Sequence, residues 1–321
     1  MRKRIAIFIL IGVALYLIGN QVDEYRLFQG ANLAMYTIAL ASIVLLTGYS
    51  GQVSLGHGAF MAVGGYSAAL TLTYFDTPIW FSFLAAIMFA SLFGLLFGFA
   101  AARLSGPYLA GSTLAFAVGL PALANQFDFL GGEQGVLFSI GLPPESLGEE
   151  FSQDKWHFWI AASLALIFIF FTANLLNSRF GRTWRAIRGN AVAAELAGIN
   201  IGQWKVAAFV VSSGLAGLAG ALLAMTISLV SPGAYALSLS FALVTGAVLA
   251  GISSLPGVML GAVILVIIPE IADVVAHRLG DSEKITAHLP GLIVSVLLIL
   301  SVIFTPNGPG ENLRKHRKKH A

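Results

Sequence analysis

Long apolar runs separated by short polar segments make up most of this chain. The runs lie at about residues 5–18, 31–47, 59–74, 79–102, 107–126, 157–176, 206–230, 238–252, 256–272 and 289–305. Each is near the ~20 residues that a helix needs to cross a bilayer, and none alternates with the two-residue period of a transmembrane β-strand. The pattern therefore predicts an all-α, polytopic membrane protein with about ten transmembrane helices.

The polar connectors differ in charge. Basic residues gather before the first run, at Arg103, in the segment 179–205 and in the tail 306–321, whereas the long segment 128–155 is acidic. Positively charged loops close to spans stay in the cytoplasm. Placing both termini there puts every basic cluster on one side and the 128–155 loop in the periplasm. The asymmetry thus indicates topology rather than nucleic-acid binding. No small-residue cleavage site follows the first run, so an uncleaved span is favoured over a signal peptide.

Composition supports the membrane assignment and excludes several chemistries. Hydrophobic residues make up 57% and charged residues 10% of the 321 positions, and the mean hydropathy is +0.85. Soluble proteins carry about 25% charged residues. The absence of cysteine excludes disulfides, thiolate metal sites and cysteine nucleophiles. No phosphate loop, HExxH or GxSxG motif occurs, so we expect no catalytic residues, no metal site and no cofactor bound by this chain.

The segment 179–205 is predicted to hold a short helix outside the membrane. Asn190 is a good N-cap, the letters AVAAELA are helix formers, and Gly198 suits the left-handed residue that follows a helix. Four arginines precede it: Arg179, Arg182, Arg185 and Arg188. A capped helix held out on the cytoplasmic side indicates a docking site for a partner. The alternative is an ordinary basic loop that only fixes topology.

A second unusual stretch is GYSGQVSLGHGAFMAVGGY, residues 48–66. So many glycines make a poor continuous helix, and free amides are tolerated at membrane depth only when buried in protein or lining a cavity. The stretch therefore predicts a broken or re-entrant helix beside a solute path. Tight helix packing through small residues is the alternative, and we expect His57 to be a packing residue rather than a catalyst.

Other glycines are predicted to form helix-packing faces only. The stretch 247–262, AVLAGISSLPGVMLGA, is interrupted by Ser253, Ser254 and Pro256, which predicts a tight turn between two spans. The packing glycines are Gly257 with Gly261, Gly94 with Gly98, and the series Gly214, Gly217 and Gly220.

Five stretches together resemble a known family. They are GYSGQVSLGHGAFMAVGGY (48–66), GPYLAGSTLAFAV (106–118), LGGEQG (130–135), GRTWRAIRGNAVAAELAGINIGQWKVAAFVVSSGLAGLAGAL (181–222) and SLSFALVTGAVLAGISSLPGVMLGAV (238–263). They look like the M-type transmembrane permease of high-affinity branched-chain amino acid ABC importers. The similarity runs from about Leu33 to Val302, and its first and fourth stretches are the most specific.

The resemblance implies that 1–321 is one transmembrane permease domain of a bacterial inner membrane, and that 179–205 is its coupling loop. Its implied partners are a second, dissimilar permease, two cytoplasmic ATPases that bind the ATP and Mg²⁺, and a periplasmic binding protein. Residues implied to couple to the ATPase are Arg182, Arg185, Arg188, Asn190, Ala193, Ala194, Glu195 and Gly198. Residues implied to line the substrate path are Gly51, Ser54, Gly56, His57, Phe60, Thr113, Gly131 and Gly132.

Departures from the family pattern leave the solute open. They are Ala117-Val118-Gly119 where a polar or acidic residue is common, Leu130 where Thr or Ser is common, and the turn SSLPG at 253–257. Branched-chain amino acids are the expected solute; urea, short amides, other amino acids or a sugar carried by the same machinery are alternatives. An ion-coupled carrier is disfavoured because the spans lack a midplane Asp or Glu. A non-transporting scaffold is disfavoured by the glycine-rich stretch.

Overall fold

The computed structural model describes residues 2–278, apart from 76, 105, 139, 142, 145–146 and 148–150, and eight separate residues between 289 and 303. The predicted basic tail 306–321 lies outside the described residues. So do most of the predicted last span, 289–305, and most of the predicted outside segment 273–288.

The described residues form eleven α-helices, because nearly every apolar run satisfies its own backbone amides internally. In chain order they are α1 (Arg2–Gly19), α2 (Glu24–Ile43), α3 (His57–Phe75), α4 (Ile79–Arg103), α5 (Pro107–Ala124), α6 (Gln153–Asn177), α7 (Arg179–Gly189), α8 (Ala191–Leu196), α9 (Ile201–Ile227), α10 (Leu237–Ala250) and α11 (Val258–Arg278). A two-residue antiparallel ribbon joins β1 (Val136–Leu137) to β2 (Leu229–Val230).

The polytopic all-α prediction is confirmed. Seven helical segments in the described part of the chain are long and apolar enough to cross a membrane: Glu24–Tyr49, Ile79–Arg103, Pro107–Ala124, Gln153–Asn177, Ile201–Ile227, Pro232–Ala250 and Leu255–Ala272. The predicted first span corresponds to a shorter apolar helix, Phe8–Gly19. The predicted span 59–74 corresponds to α3, which has 19 residues but is not among the seven.

The 27-residue helix α9 forms the centre of the fold, and small residues let its neighbours approach it closely. A Cβ added at Gly217 would collide with Ala86 and Ala90 of α4, and one added at Gly220 would collide with the carbonyl of Met61 in α3. From the other side, Gly94 of α4 packs against Ser213 of α9. The predicted packing role of these glycines is therefore confirmed.

The predicted break in the glycine-rich stretch is also present. After α2 the chain continues as a π-helical turn, Val44–Tyr49, then runs through non-helical backbone until α3 begins at His57. Gln52 donates from Nε2 to the carbonyl of Lys205 near the start of α9, whereas His57 contacts Ser212, about two turns and ~10 Å further along that helix. The chain thus reaches the α7–α8 end of α9 and then re-enters the helical bundle.

Two predicted loops contain more helix than the sequence suggested. The arginine-rich beginning of 179–205 is the helix α7, and α9 already begins at Ile201. At the end of the 128–155 loop, Ser152 is the N-cap of α6: its Oγ accepts a hydrogen bond from the Lys155 amide at 3.3 Å. Between α5 and α6, the ribbon strand β1 ties the loop to the far end of α9 through β2.

Candidate coupling segment and solute path

Helix α7 has one face of arginines and one face buried against the protein. The arginines recur every three residues, and so do the buried residues Gly181, Trp184 and Ile187. This spacing places each set along one side of a helix. The Trp184 indole is 1% exposed and donates from Nε1 to the carbonyl of Trp204 at 2.9 Å. Phe180 completes an aromatic cluster with both tryptophans, which attaches α7 to the start of α9.

Helix α8 follows after a single residue and is capped at both ends as the sequence predicts. The Asn190 side chain accepts from the amide of Ala193 at 3.0 Å. At the other end Gly198 has φ = 82°, its amide donates to Glu195 O at 2.8 Å, and the Ile199 amide donates to Ala194 O at 3.1 Å. These two bonds form a Schellman motif, which satisfies carbonyls that the helix itself leaves free. Six residues far from the main core are thereby held helical.

The residues assigned to ATPase coupling lie together on α7 and α8. Ala194 is buried against the body of the protein; the exposed ones are Arg182, Arg185, Arg188, Asn190, Ala193, Glu195 and Gly198. Beside them are two apolar side chains that were not predicted, Val192 at 67% and Leu196 at 85% exposure. Their i, i+4 spacing puts them on one side of α8, a signal that was present in the sequence. Together they form a small apolar surface on a helix that lies outside the candidate spans.

A cavity of about 390 Å³ lies beside the place where the α7–α8 segment meets the broken helix. Its walls come from the π-helical turn and the residues after it, the loop between α4 and α5, the end of α7 and the start of α9. The charged and polar lining residues are Thr47, Ser50, Gln52, Arg188 and Lys205. Apolar walls are supplied by side chains such as Val53, Leu104 and Ile187. The cavity can therefore admit a small polar solute with an apolar part.

The structure does not gather the predicted path residues into one site. Gly51 lines the cavity, whereas Gly131 and Gly132 form a tight turn with φ of 79° and 55° near the other end of α9. The remaining ones are buried: Ser54, Gly56, His57, Phe60 and Thr113. Gly56 packs on α5, where an added Cβ would stand 2.6 Å from the carbonyl oxygen of Thr113.

His57 is held inside the protein by a hydrogen-bonded chain. Ser212 donates its one hydroxyl proton to the carbonyl of Ser42 at 2.9 Å. The Ser212 Oγ also lies 3.1 Å from His57 Nε2. Because its own proton is already donated, this oxygen accepts a hydrogen bond from that nitrogen. The ring also meets Phe60 edge to face. These contacts make His57 a packing residue, as the sequence indicated, although its Nδ1 is buried without a hydrogen-bond partner among the described residues.

Glu270 is an acidic residue of α11, a helix that contains a candidate span. Glu270 accepts from Gln29 at 2.8 Å and lies 3.7 Å from Arg26, at the end of α2 opposite the cavity. Its charge is thus paired at one end of the bundle rather than isolated at mid-depth. Within the described ranges, no group of three or more histidines and carboxylates is placed to hold a metal ion.

Comparison with known proteins identifies the family. The family described as "Branched-chain amino acid transport system / permease component" matches residues 26–302. The chain belongs to this family. The match covers the seven candidate spans except for the first two residues of Glu24–Tyr49, and it includes the α7–α8 segment and the broken helix.

Individual relatives agree with the family match. The chain is 29% identical over 298 residues to the Escherichia coli high-affinity branched-chain amino acid transport system permease protein LivM, covering 85% of this chain and 67% of the relative. It is 27% identical over 303 residues to LivH of Salmonella typhimurium, covering 88% and 94%. A probable LivM of Methanocaldococcus jannaschii is 24% identical over 234 residues, covering 70% and 66%. No solved structure matches the chain.

Proposed function

We propose that this chain is the transmembrane permease subunit of an ABC importer that carries branched-chain amino acids into the cytoplasm. The observation that carries the proposal is α8, a helix capped at both ends that presents Val192 and Leu196 to solvent beside the arginines of α7. The relatives LivM and LivH, both described as permeases of high-affinity branched-chain amino acid transport, support the solute class.

In this proposal the energy for transport comes from partner subunits. The part of the α7–α8 segment from Arg182 onward docks into a cleft of a cytoplasmic ATPase, and the second permease completes the path across the membrane. A periplasmic binding protein delivers the solute to the opposite end of the bundle. The termini and the α7–α8 segment are then cytoplasmic, and the 128–155 loop is periplasmic, as the distribution of basic residues favours. The chain itself performs no catalysis and binds no ATP.

The solute and the energy source can be tested together. The chain is co-reconstituted in liposomes with the second permease, the two ATPases and the binding protein of the proposed importer, and uptake of radiolabelled leucine is measured. We expect uptake to require ATP on the cytoplasmic side. Unlabelled leucine, isoleucine and valine should each compete with the radiolabelled leucine. Calorimetry then compares the affinity of the binding protein for these three amino acids with its affinity for urea, short amides and sugars.

Two outcomes would contradict the proposal. Leucine uptake that follows an imposed proton or sodium gradient without ATP would make the chain an ion-coupled carrier. A binding protein that binds urea, an amide or a sugar, but no branched-chain amino acid, would keep the importer and change its solute. The Glu195→Lys variant adds a check on the docking helix, since reversing an exposed charge there should reduce ATPase association while leaving permease abundance unchanged.

A further inference from the structure

At the carboxyl end of the broken helix, the carbonyl of Gly48 accepts no backbone hydrogen bond among the described residues. Around the π-helical turn, the Ser50 amide donates to Leu45 O and the Gln52 amide donates to Leu46 O, both at 3.2 Å. Among the described residues no amide beyond the turn reaches Gly48 O. An unpaired carbonyl in a buried position is costly, and the carboxyl end of a helix carries partial negative charge. A cation is the favoured partner at this position.

Arg188 of α7 supplies that cation from 140 residues away. Its Nη1 donates to the carbonyl of Gly48 and, at 2.7 Å, to the hydroxyl of Ser253 in the turn between α10 and α11. One guanidinium therefore touches both stretches that interrupt the regular spans. The two stretches also touch each other, since a Cβ added at Gly48 would collide with the carbonyl of Ile252.

Further contacts join α7 to the broken helix beside the hydrogen bonds of Arg188. The Arg185 guanidinium lies over the ring of Tyr49 with a distance of 5.6 Å to the centroid. At Gly51, where φ is 76°, an added Cβ would stand 2.9 Å from Cγ of Arg188. The last turn of α7 thus rests directly on the end of the π-helical turn and on the backbone that re-enters the bundle.

We infer that Arg188 is the positioning residue through which the α7–α8 segment sets the conformation of the broken helix and of the 251–254 turn. The inference rests on the proposed function, because it assigns Arg188 to the transmission of ATPase movement rather than to ATPase binding. Only Asn190 separates α7 from α8, so displacement of α8 moves the end of α7 and with it the guanidinium. The helix end that Arg188 holds forms one wall of the cavity.

The geometry explains why arginine is favoured. Both hydrogen bonds come from one nitrogen, Nη1, whose two N–H groups are held in fixed directions by the planar guanidinium. A lysine also carries several donors on one charged nitrogen, but its ammonium group rotates and does not hold them toward the carbonyl and the hydroxyl together. Glutamine keeps a hydrogen-bond donor but carries no positive charge to stabilise the partial negative charge at the carboxyl end of the helix. Function should therefore fall in the order arginine, lysine, glutamine.

The test measures leucine imported per ATP hydrolysed in proteoliposomes with the complete complex. We expect Arg188→Gln to keep ATPase association and hydrolysis but to lower this ratio about tenfold, the factor expected for loss of one charged hydrogen bond. Arg188→Lys should recover part of the loss. Ser253→Ala removes one acceptor of Arg188 and a long hydrogen bond of 3.5 Å from Ser253 Oγ to Gly48 O, and it keeps the cation, so it should lose less than Arg188→Gln. Arg179→Gln is the charge-matched control on the same helix: Arg179 is exposed and contacts the ring of Phe180. It should keep the wild-type ratio.

A second measurement does not depend on transport. Hydrogen–deuterium exchange of the permease in lipid nanodiscs should speed up at residues 44–56 and 251–254 in Arg188→Gln and not in Arg179→Gln. A wild-type complex without ATP-driven uptake would refute the proposed function, whereas the exchange pattern would still test the contact.

Three results would overturn the inference. One is a wild-type import ratio in Arg188→Gln, and another is loss of ATPase association in that variant, which would make Arg188 a docking residue. The third is unchanged exchange at both stretches. If Arg188→Gln fails to accumulate in the membrane, Arg188→Lys and Ser253→Ala decide: a reduced ratio in both supports the inference, and wild-type ratios in both refute it.

Discussion

Replacing Leu196 with glutamine is the most direct test of α8 as a docking helix. Its side chain is 85% exposed, so burial against a partner would remove nearly all of it from water. Burying a whole leucine side chain contributes about 1.5–3 kcal/mol, which scales here to roughly 1.3–2.6 kcal/mol. The ATPase should therefore bind the Leu196→Gln complex about 10- to 80-fold more weakly. Glutamine and leucine have similar helix propensity, so α8 itself should persist.

The assay is the affinity of the purified ATPase for the permease pair in nanodiscs, measured by biolayer interferometry. Leu196→Met keeps the apolar surface and serves as the matched control, with affinity close to wild type. The melting temperature of the free permease should not change, because an exposed side chain contributes little to its stability. Equal ATPase affinities for the Gln and Met variants would refute the docking role of this side chain.

Three further changes test the coupling turn, the topology and the packing. Gly198→Val places a β-branched residue at φ = 82°. No other atom lies within 4 Å of the added Cβ, so the substitution strains the backbone conformation without causing a clash. Uptake should fall several-fold when variant and wild type are compared at equal abundance in the membrane. In intact cells, an impermeant maleimide should label the Gln153→Cys variant but not the Ala186→Cys variant; the reverse would invert the orientation. Gly217→Leu should abolish accumulation, whereas Gly111→Leu, with open space around its Cβ, should accumulate normally by fluorescence size-exclusion chromatography.

Local signals predicted local structure well. Asn190 and Gly198 marked both ends of α8 because capping is decided by a few neighbouring residues. Helix α7 was not predicted, because its arginines were assigned to topology and to ATPase coupling but not to a helix. Their spacing of three, matched by Gly181, Trp184 and Ile187, was a helical pattern that the charges concealed.

The candidate site depends on contacts that no local pattern contains. The residues joined by the Arg188 hydrogen bond to Gly48 are separated by 140 positions, and those joined by the hydrogen bond from Gln52 to Lys205 by 153. Each contact exists because α2, α9 and the turn after α10 pack in one particular arrangement. The sequence identified both unusual stretches, yet only the folded chain brings them to one guanidinium.

The glycine-rich stretch packs tightly at some of its glycines and lines a cavity at another. Gly48, Gly58 and Gly64 each face a neighbour that leaves no room for a side chain: the carbonyl of Ile252, the hydroxyl of Ser240 and the backbone of Gly217. Enlarging these glycines would therefore disturb packing whether or not solute passes nearby, and Gly56, against Thr113, belongs with them. The surface of the stretch that is open lies at Gly51 and Val53, both exposed and both lining the cavity. Val53 is therefore the position at which a substitution can test for a solute path without disturbing helix packing. Its side chain is 44% exposed and can be enlarged without entering the helical bundle.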